Sequence, residues 1–186
     1  MKLKTLVIAT FVGLLITSCK KDDPIIPNEE EVITTVIYTL TPVVESGDTV
    51  VLMYKNDGNN SDDGVYTQTG IIKKNAEYTA ELTLLNETLS PAEDVTEEVK
   101  EEGVEHQFFF TTPTGLNITY ADKDENDHPI GIESNVSVLS TFAGGDLTII
   151  LRHEPNKSAE NVSNGDITNA GGGTDVEVTF TLNAQD

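Results

Sequence analysis

The feature that most constrains the fold of this chain is a two-residue alternation of apolar and polar side chains, which recurs in short runs from residue 32 onward. The clearest run is Asp175–Leu182, where every even-numbered residue is apolar and every odd-numbered residue is Asp, Glu or Thr. This period is typical of a β-strand with one buried and one solvated face. Turn residues separate the runs, as at Pro113-Thr-Gly115. The pattern therefore predicts many short strands.

The alternation predicts strands at Val32–Leu40, Thr49–Lys55, Val65–Ile72, Glu77–Asn86, His106–Thr112, Leu116–Tyr120, Ile132–Thr141, Asp146–His153 and Asp175–Leu182. The short turn before Leu116 predicts that the two strands flanking it form a hairpin. Alternating βαβ units are absent from the pattern, which argues against a doubly wound fold. We expect an all-β fold: an immunoglobulin-like antiparallel β-sandwich of about eight strands with one short helix.

One segment departs from the strand pattern. Ser90-Pro-Ala-Glu93 has serine at a helix N-cap, proline at the first helical position and glutamate at the third, which is a capping box. Val95 and Val99 then lie four residues apart, on one helix face, and Gly103 can end the helix. The segment predicts a helix of about three turns.

The first 18 residues have the composition of a secretory signal peptide. Two lysines precede an apolar stretch over 6–16, and the small residues Thr17-Ser18 precede Cys19, the only cysteine of the chain. The apolar stretch is shorter than the roughly 20 residues that a membrane-spanning helix needs. We predict a signal peptide over 1–18, an acylated Cys19 that begins a flexible acidic tether over 19–31, and a β-sandwich domain over 32–186.

The residues around Cys19 also indicate a location. Leu15-Ile-Thr-Ser-Cys19 resembles the lipobox of bacterial lipoproteins, in which the cysteine carries the lipid that anchors the protein to the membrane. The next four residues resemble the export signal of Bacteroidota surface lipoproteins: Lys20, Lys21, Asp22 and Asp23. The resemblance implies a lipid-anchored outer-membrane protein that faces the cell surface, with a periplasmic orientation as the alternative.

The charge of the chain excludes one class of partner. It has 32 acidic and 11 basic residues, a formal net charge of −21. Such a surface repels phosphate backbones, so nucleic acid is not expected as a partner. An acidic surface also keeps an exported protein soluble without any further role.

An acidic segment between two predicted strands is the sharpest local motif. Asp122, Asp124 and Asn126 stand at alternating positions, followed by Asp127, in the order of oxygen ligands that begins an EF-hand loop. Asp127 stands where that loop has glycine. These four residues predict a Ca²⁺ site, and an acidic turn without metal is the alternative.

Four further residues have reactive side chains: His106, Arg152, His153 and Glu154. Two histidines and a glutamate suit Zn²⁺, but their positions lack the ligand spacing of known zinc motifs. A structural cluster is the favoured interpretation, in which Arg152 pairs with Glu154 or with an acidic residue near Glu105. No serine or cysteine lies in a nucleophile motif, so we predict a protein that is not an enzyme.

Five segments from residue 86 onward carry a family resemblance: Asn86-Glu-Thr88, Ser90–Glu98, His106–Phe110, Leu151–Lys157 and Gly172–Phe180. With Cys19, they resemble a family of small Bacteroidota outer-membrane lipoproteins of unknown function, often labelled "type 1 periplasmic binding fold superfamily protein". That fold requires alternating βα units and a longer chain, so the strand pattern favours the sandwich. The resemblance implies the anchor and no particular activity.

Two functions from different classes are compatible with these features. The first is a non-catalytic binding or adhesion module at the cell envelope, with a glycan or protein ligand and Ca²⁺-stabilised loops. The second is a structural or accessory lipoprotein that acts through protein contacts. A concave patch of Phe and Tyr would favour the first, whereas an open sheet edge would favour the second.

Overall fold

A computed structural model of the protein describes residues 31–44, 47–56 and 64–185. Cys19, the four residues after it and most of the predicted tether lie outside the described residues. The strands are β1 (Thr35–Pro42), β2 (Val50–Lys55), β3 (Val65–Thr69), β4 (Ile72–Lys73), β5 (Ala76–Asn86), β6 (Glu93–Asp94), β7 (His106–Thr111), β8 (Leu116–Tyr120), β9 (Glu133–Val138), β10 (Gly145–His153), β11 (Gly173–Leu182) and β12 (Ala184–Gln185). Between β6 and β7 lies the helix α1 (Val95–Glu101), and short 3₁₀ turns cover Val162–Asn164 and Ile167–Asn169.

The strands form two main antiparallel sheets. The larger has the order β3-β2-β1-β5-β9-β8, with β6 added beside β5, and the smaller has the order β11-β10-β7. A short parallel pair joins β12 to β4. The inward side chains of both main sheets pack into one hydrophobic cluster, with Leu82 from the larger sheet and Phe108, Ile149 and Val178 from the smaller. The predicted all-β sandwich is confirmed.

The alternation also identifies the buried faces correctly. On β11, Val176, Val178, Phe180 and Leu182 are buried. Tyr38 of β1 is fully buried, and its Oη shares a hydrogen bond of 2.8 Å with Ser134 Oγ. Burial raises the pKa of the Tyr38 phenol, so the group stays neutral and gives the core a satisfied polar contact.

The predicted hairpin around Pro113-Thr-Gly115 is wrong. β7 pairs with β10 in the smaller sheet, whereas β8 pairs with β9 in the larger one, so the turn crosses from one sheet to the other. Gly115 has a φ of 87°, and a Cβ there would lie 2.5 Å from the backbone nitrogen of Phe142. The alternation of each strand shows which face is buried, but it does not determine which strand is its neighbour.

The predicted helix exists but begins later and is shorter. Glu93 and Asp94 pair with β5, so the glutamate of the predicted capping box lies in a strand and not in the first turn of a helix. Asp94 is the N-cap instead, since its carboxylate accepts a hydrogen bond from the backbone nitrogen of Thr96. Val95 and Val99 are buried as expected. Within the described residues, no helix is both long and apolar enough to cross a membrane.

Candidate functional site

Two histidines meet at one end of the smaller sheet. His106 begins β7 and His153 ends β10, and the two residues are direct partners in the antiparallel register. His106 lies on the same inward face of β7 as Phe108, and His153 lies on the same inward face of β10 as Leu151. Directly opposed side chains on one face of a sheet are neighbours. The imidazole centroids are accordingly 4.8 Å apart, with an interplanar angle of 68°.

Two carboxylates complete this cluster, which we call the histidine–carboxylate cluster: Glu31, His106, His153 and Asp175. His106 Nε2 lies 2.7 Å from Glu31 Oε1 and 3.8 Å from Asp175 Oδ2. His153 Nδ1 lies 3.3 Å from Glu31 Oε2 and 3.4 Å from Asp175 Oδ1. The four side chains are nearly or fully buried, with at most 8% exposed. One donor atom from each lies within 4.8 Å of the others.

A β-bulge accounts for the position of Asp175. On β11, Val176 is opposite Leu151, but the next partner of β10 is Thr174, so the register skips Asp175. Strict alternation would place Asp175 outward with Glu177, which is exposed. A bulge inserts one residue and redirects side chains, often beside functional sites. Here it accompanies a carboxylate that contacts the inward-facing His153.

The cluster groups influence one another's ionisation. Burial alone would lower the pKa of His106, but the Glu31 carboxylate beside it outweighs that effect, so this pKa is raised. Burial raises the pKa of Asp175 to about 6, and the negative charge of Glu31 adds to the shift. The pKa of Glu31 is lowered because contact with His106 outweighs burial. The cluster therefore favours positive charge between its carboxylates.

Arg152 does not form the predicted ion pair. Arg152 lies on the opposite face of β10 from His153, and its Nη1 donates to Gly173 O at 3.3 Å and to Thr174 Oγ1 at 2.6 Å. Its expected pairing with Glu154 or with an acidic residue near Glu105 is not observed among the described residues. Glu154 is exposed and has a left-handed φ of 50°, and its carboxylate lies near Glu105 and His153, with one ligand atom from each of the three within 4.8 Å of the others.

The predicted calcium ligands have other hydrogen-bond partners. Asp122 accepts backbone hydrogen bonds from Gly131 and Glu133, and Asp124 Oδ1 accepts from the backbone of Asn126 and His128. Asp127 is exposed, with a left-handed φ of 64° that suits its place in the loop. In the described part of the chain, the three aspartates do not come together as a metal-binding group. The Ca²⁺ site stays a prediction.

A buried lysine supplies positive charge to this loop. Lys157 Nζ donates to Asp124 Oδ2 at 2.9 Å, to Pro129 O at 3.0 Å and to Gly103 O. The Asp124 and Lys157 side chains are only 2% and 5% exposed. Burial would raise the pKa of Asp124, but its hydrogen bond with Lys157 prevails and lowers it. No sequence pattern indicates this ion pair, because its members are 33 residues apart.

A pocket of about 520 Å³ opens beside the same loop. Its apolar wall includes Phe110, Ile118 and Tyr120, and its polar rim includes Lys123 and Asn164. The Tyr120 ring is fixed in place, because its Oη donates to Phe108 O at 2.7 Å and accepts from Gln107 Nε2 at 3.2 Å. Burial raises the pKa of Tyr120 to about 12, so the phenol is neutral at physiological pH.

Comparison of the chain with protein-family models, curated proteins and solved structures gives no match.

Proposed function

We propose that the protein is a lipid-anchored, non-catalytic binding module of the cell envelope whose ligand is a glycan. The observation that supports this function best is the pocket with an immobilised aromatic wall. Its volume lies in the range of small-molecule sites, and it combines apolar side chains with a few polar groups, as such sites do. The anchor part of the proposal rests on the sequence around Cys19.

The chemistry of the wall favours a sugar ring. One face of a pyranose presents C–H groups, which pack against the electron-rich face of an aromatic ring. Tyr120 and Phe110 offer such rings, with centroids 6.2 Å apart. The sugar hydroxyl groups would then lie near Lys123 and Asn164 on the rim, where hydrogen bonds orient the ligand.

A pair of variants at Tyr120 tests this function. Tyr120→Phe and Tyr120→Leu both lose the hydroxyl group, but only Tyr120→Leu loses the ring. We expect the wild-type protein to bind a subset of an immobilised glycan library. Tyr120→Phe should keep most of that binding, whereas Tyr120→Leu should weaken it by about tenfold, consistent with about 0.5–1.5 kcal/mol of aromatic contact. Equal binding by both variants, or no glycan bound by wild type, would contradict the proposal.

One observation favours the accessory function instead. Within the described residues, β3 lies at an edge of the larger sheet and pairs only with β2. Its Val65 and Tyr66 are 63% and 47% exposed. An open edge with apolar side chains can accept a strand from a partner protein. Capture of a protein from native envelopes that is lost in Tyr66→Lys but kept in Tyr120→Leu would support this alternative.

A further inference from the structure

The histidine–carboxylate cluster contains buried polar atoms whose hydrogen-bonding needs are not met. Among the described residues, His106 Nε2 and both carboxylate oxygens of Asp175 have no hydrogen bond of acceptable geometry. The side chains of His106 and Asp175 are fully buried. Buried polar atoms without partners are costly and uncommon, and an ordered water or a bound ion is among the features that account for them. Each of these atoms lies 2.7–3.8 Å from a polar atom of another residue of the cluster.

The tautomer of His106 shows which of its ring nitrogens is available to a ligand. Its Nδ1 lies 3.2 Å from the backbone carbonyl oxygen of Glu102, which can only accept a hydrogen bond. Nδ1 must therefore carry hydrogen, and in a neutral imidazole Nε2 then bears a lone pair. Nε2 lies only 2.7 Å from Glu31 Oε1, a repulsive contact unless positive charge offsets it, either as a proton on Nε2 or as a cation bound near both atoms. Metal-binding histidines are commonly oriented in this way, because the ring nitrogen that does not bind the metal donates a hydrogen bond to a backbone carbonyl.

The donor atoms lie close enough together to gather around a small cation. Ligands that surround Zn²⁺ as a tetrahedron at about 2.0–2.2 Å are separated from one another by roughly 3.3–3.6 Å. The four contacts between histidines and carboxylates are 2.7, 3.3, 3.4 and 3.8 Å, and they involve both oxygens of each carboxylate. One ligand atom from each residue lies within 4.8 Å of the others, so the group must contract around the ion, while the 2.7 Å contact of Glu31 with His106 must open.

We propose that Glu31, His106, His153 and Asp175 bind one divalent transition-metal ion of the Zn²⁺ type. Two imidazole nitrogens disfavour the hard cations Ca²⁺ and Mg²⁺, which prefer oxygen ligands. Two carboxylates balance the charge of the ion, which offsets the cost of burying it. Four protein ligands leave no open coordination position, so the ion has a structural role. This site is separate from the glycan pocket and does not depend on the proposed function.

The ion would join two parts of the fold. His106, His153 and Asp175 belong to the smaller sheet, whereas Glu31 precedes β1 of the larger one. Glu31 is also the last residue of the predicted tether. A metal bound by all four residues would therefore fix the point where the tether meets the domain and link the two sheets at that end. Because only the folded chain gathers these ligands, the metal stabilises the fold.

The test is metal binding by the full chain purified in detergent, at constant pH. After removal of metal with a chelator, we expect one equivalent of added Zn²⁺ to remain bound on desalting, as measured by elemental analysis. The melting temperature should rise with Zn²⁺ concentration, and Ca²⁺ or Mg²⁺ at the same concentration should not replace Zn²⁺. Co²⁺ should give the visible absorption bands of tetrahedral nitrogen and oxygen coordination.

Conservative variants identify the ligands. Glu31→Gln, His153→Gln and Asp175→Asn each remove one ligand charge or nitrogen with little change in volume. Each should weaken Zn²⁺ binding by more than about tenfold, since loss of even an outer partner of a metal ligand has an effect of that size. His128→Gln is the matched control, because His128 is the remaining histidine of the chain and lies outside the cluster, in contact with Ser163. It should bind Zn²⁺ as wild type does.

Two results would overturn the proposed metal site. Failure of the wild-type chain to retain Zn²⁺ would overturn the proposal and indicate that protons on the histidines supply the positive charge. Equal binding by wild type and Glu31→Gln would also overturn the four-ligand site. Glu31→Gln keeps the test interpretable if the more deeply placed variants do not fold, because Glu31 lies outside the strands.

Discussion

Lys157 carries its charge into a part of the domain that is closed to solvent. Its ammonium group is held by the Asp124 carboxylate and by two backbone carbonyl oxygens, so all three of its donors have acceptors. These contacts join the segment after β10 to the 122–130 loop and to the second residue after α1. A single side chain therefore orders three segments that are distant in sequence.

Replacement of Lys157 by methionine should destabilise the domain strongly. The methionine side chain would leave the Asp124 carboxylate buried without its counter-charge, and breaking one side of such a pair costs about 3–5 kcal/mol. Equilibrium denaturation in urea should show this loss. Lys123→Met is the matched control, because Lys123 is exposed and pairs with Asp127 at the surface. Its effect should stay below about 1 kcal/mol, and equal losses in the two variants would contradict the role of Lys157.

At the scale of elements, α1 completes the hydrogen bonding along one edge of β5. Along that side, β9 pairs with β5 as far as Glu81, Leu82 N donates to Ile132 O, and β6 pairs with Leu85 and Asn86. Leu84 lies between them and has no strand partner on this side. Thr96 of α1 fills the gap, since its Oγ1 accepts from Leu84 N at 2.8 Å. Thr96 thus supplies the hydrogen-bond acceptor that a neighbouring strand would otherwise supply to Leu84.

The variant Thr96→Val tests this role of the helix. Valine has the shape of threonine but leaves the buried Leu84 N–H without an acceptor, which should cost about 1–3 kcal/mol. We expect lower stability in urea and faster hydrogen exchange at the Leu84 amide. Thr96→Ser keeps the hydroxyl group and should preserve the slow exchange. Fast exchange in Thr96→Ser, or slow exchange in Thr96→Val, would show that Thr96 does not protect this amide.

Sequence patterns predict the elements of this fold better than they predict which elements are neighbours. The alternation locates the strand Leu116–Tyr120 correctly, yet its partner is β9 instead of β7, because period and burial do not specify pairing. Val95 and Val99 indicate the helix, but its start is misplaced, because pairing of Glu93 and Asp94 with β5 overrides the local capping signal. Tertiary contacts decide both points.

The candidate site shows the same limit. Residue type singles out His106 and His153, but their meeting follows from the register of β7 and β10, which a single sequence does not reveal. Asp175 is not predicted as a site residue, because strict alternation assigns it to the outer face. The bulge that redirects its side chain has no recognisable sequence pattern. Glu31 is assigned to the tether because acidic residues precede it without periodicity.

At the scale of the whole molecule, the proposed parts have an order from the membrane outward. The lipid on Cys19 would hold the chain at the bilayer, and the tether would connect this anchor to the domain. Glu31 would be the residue at which the tether joins the sandwich. The pocket wall at Tyr120 and the ligands His106 and His153 belong to the sandwich itself. Anchoring and ligand binding can therefore be separated by substitution.

Two variants near the N-terminus, one single and one triple, test the location of the whole protein. Cys19→Ser should move the protein from the membrane to the soluble fraction, because each buried CH₂ of a lipid chain contributes about 0.8 kcal/mol to membrane binding and none would remain. Replacement of Lys21, Asp22 and Asp23 by alanine should leave the protein on the membrane but protect it from protease added to intact cells. Wild type should be digested under the same conditions, with a periplasmic protein as the control for cell integrity. Protection of wild type would assign it to the periplasmic side, and membrane retention of Cys19→Ser would contradict the lipid anchor.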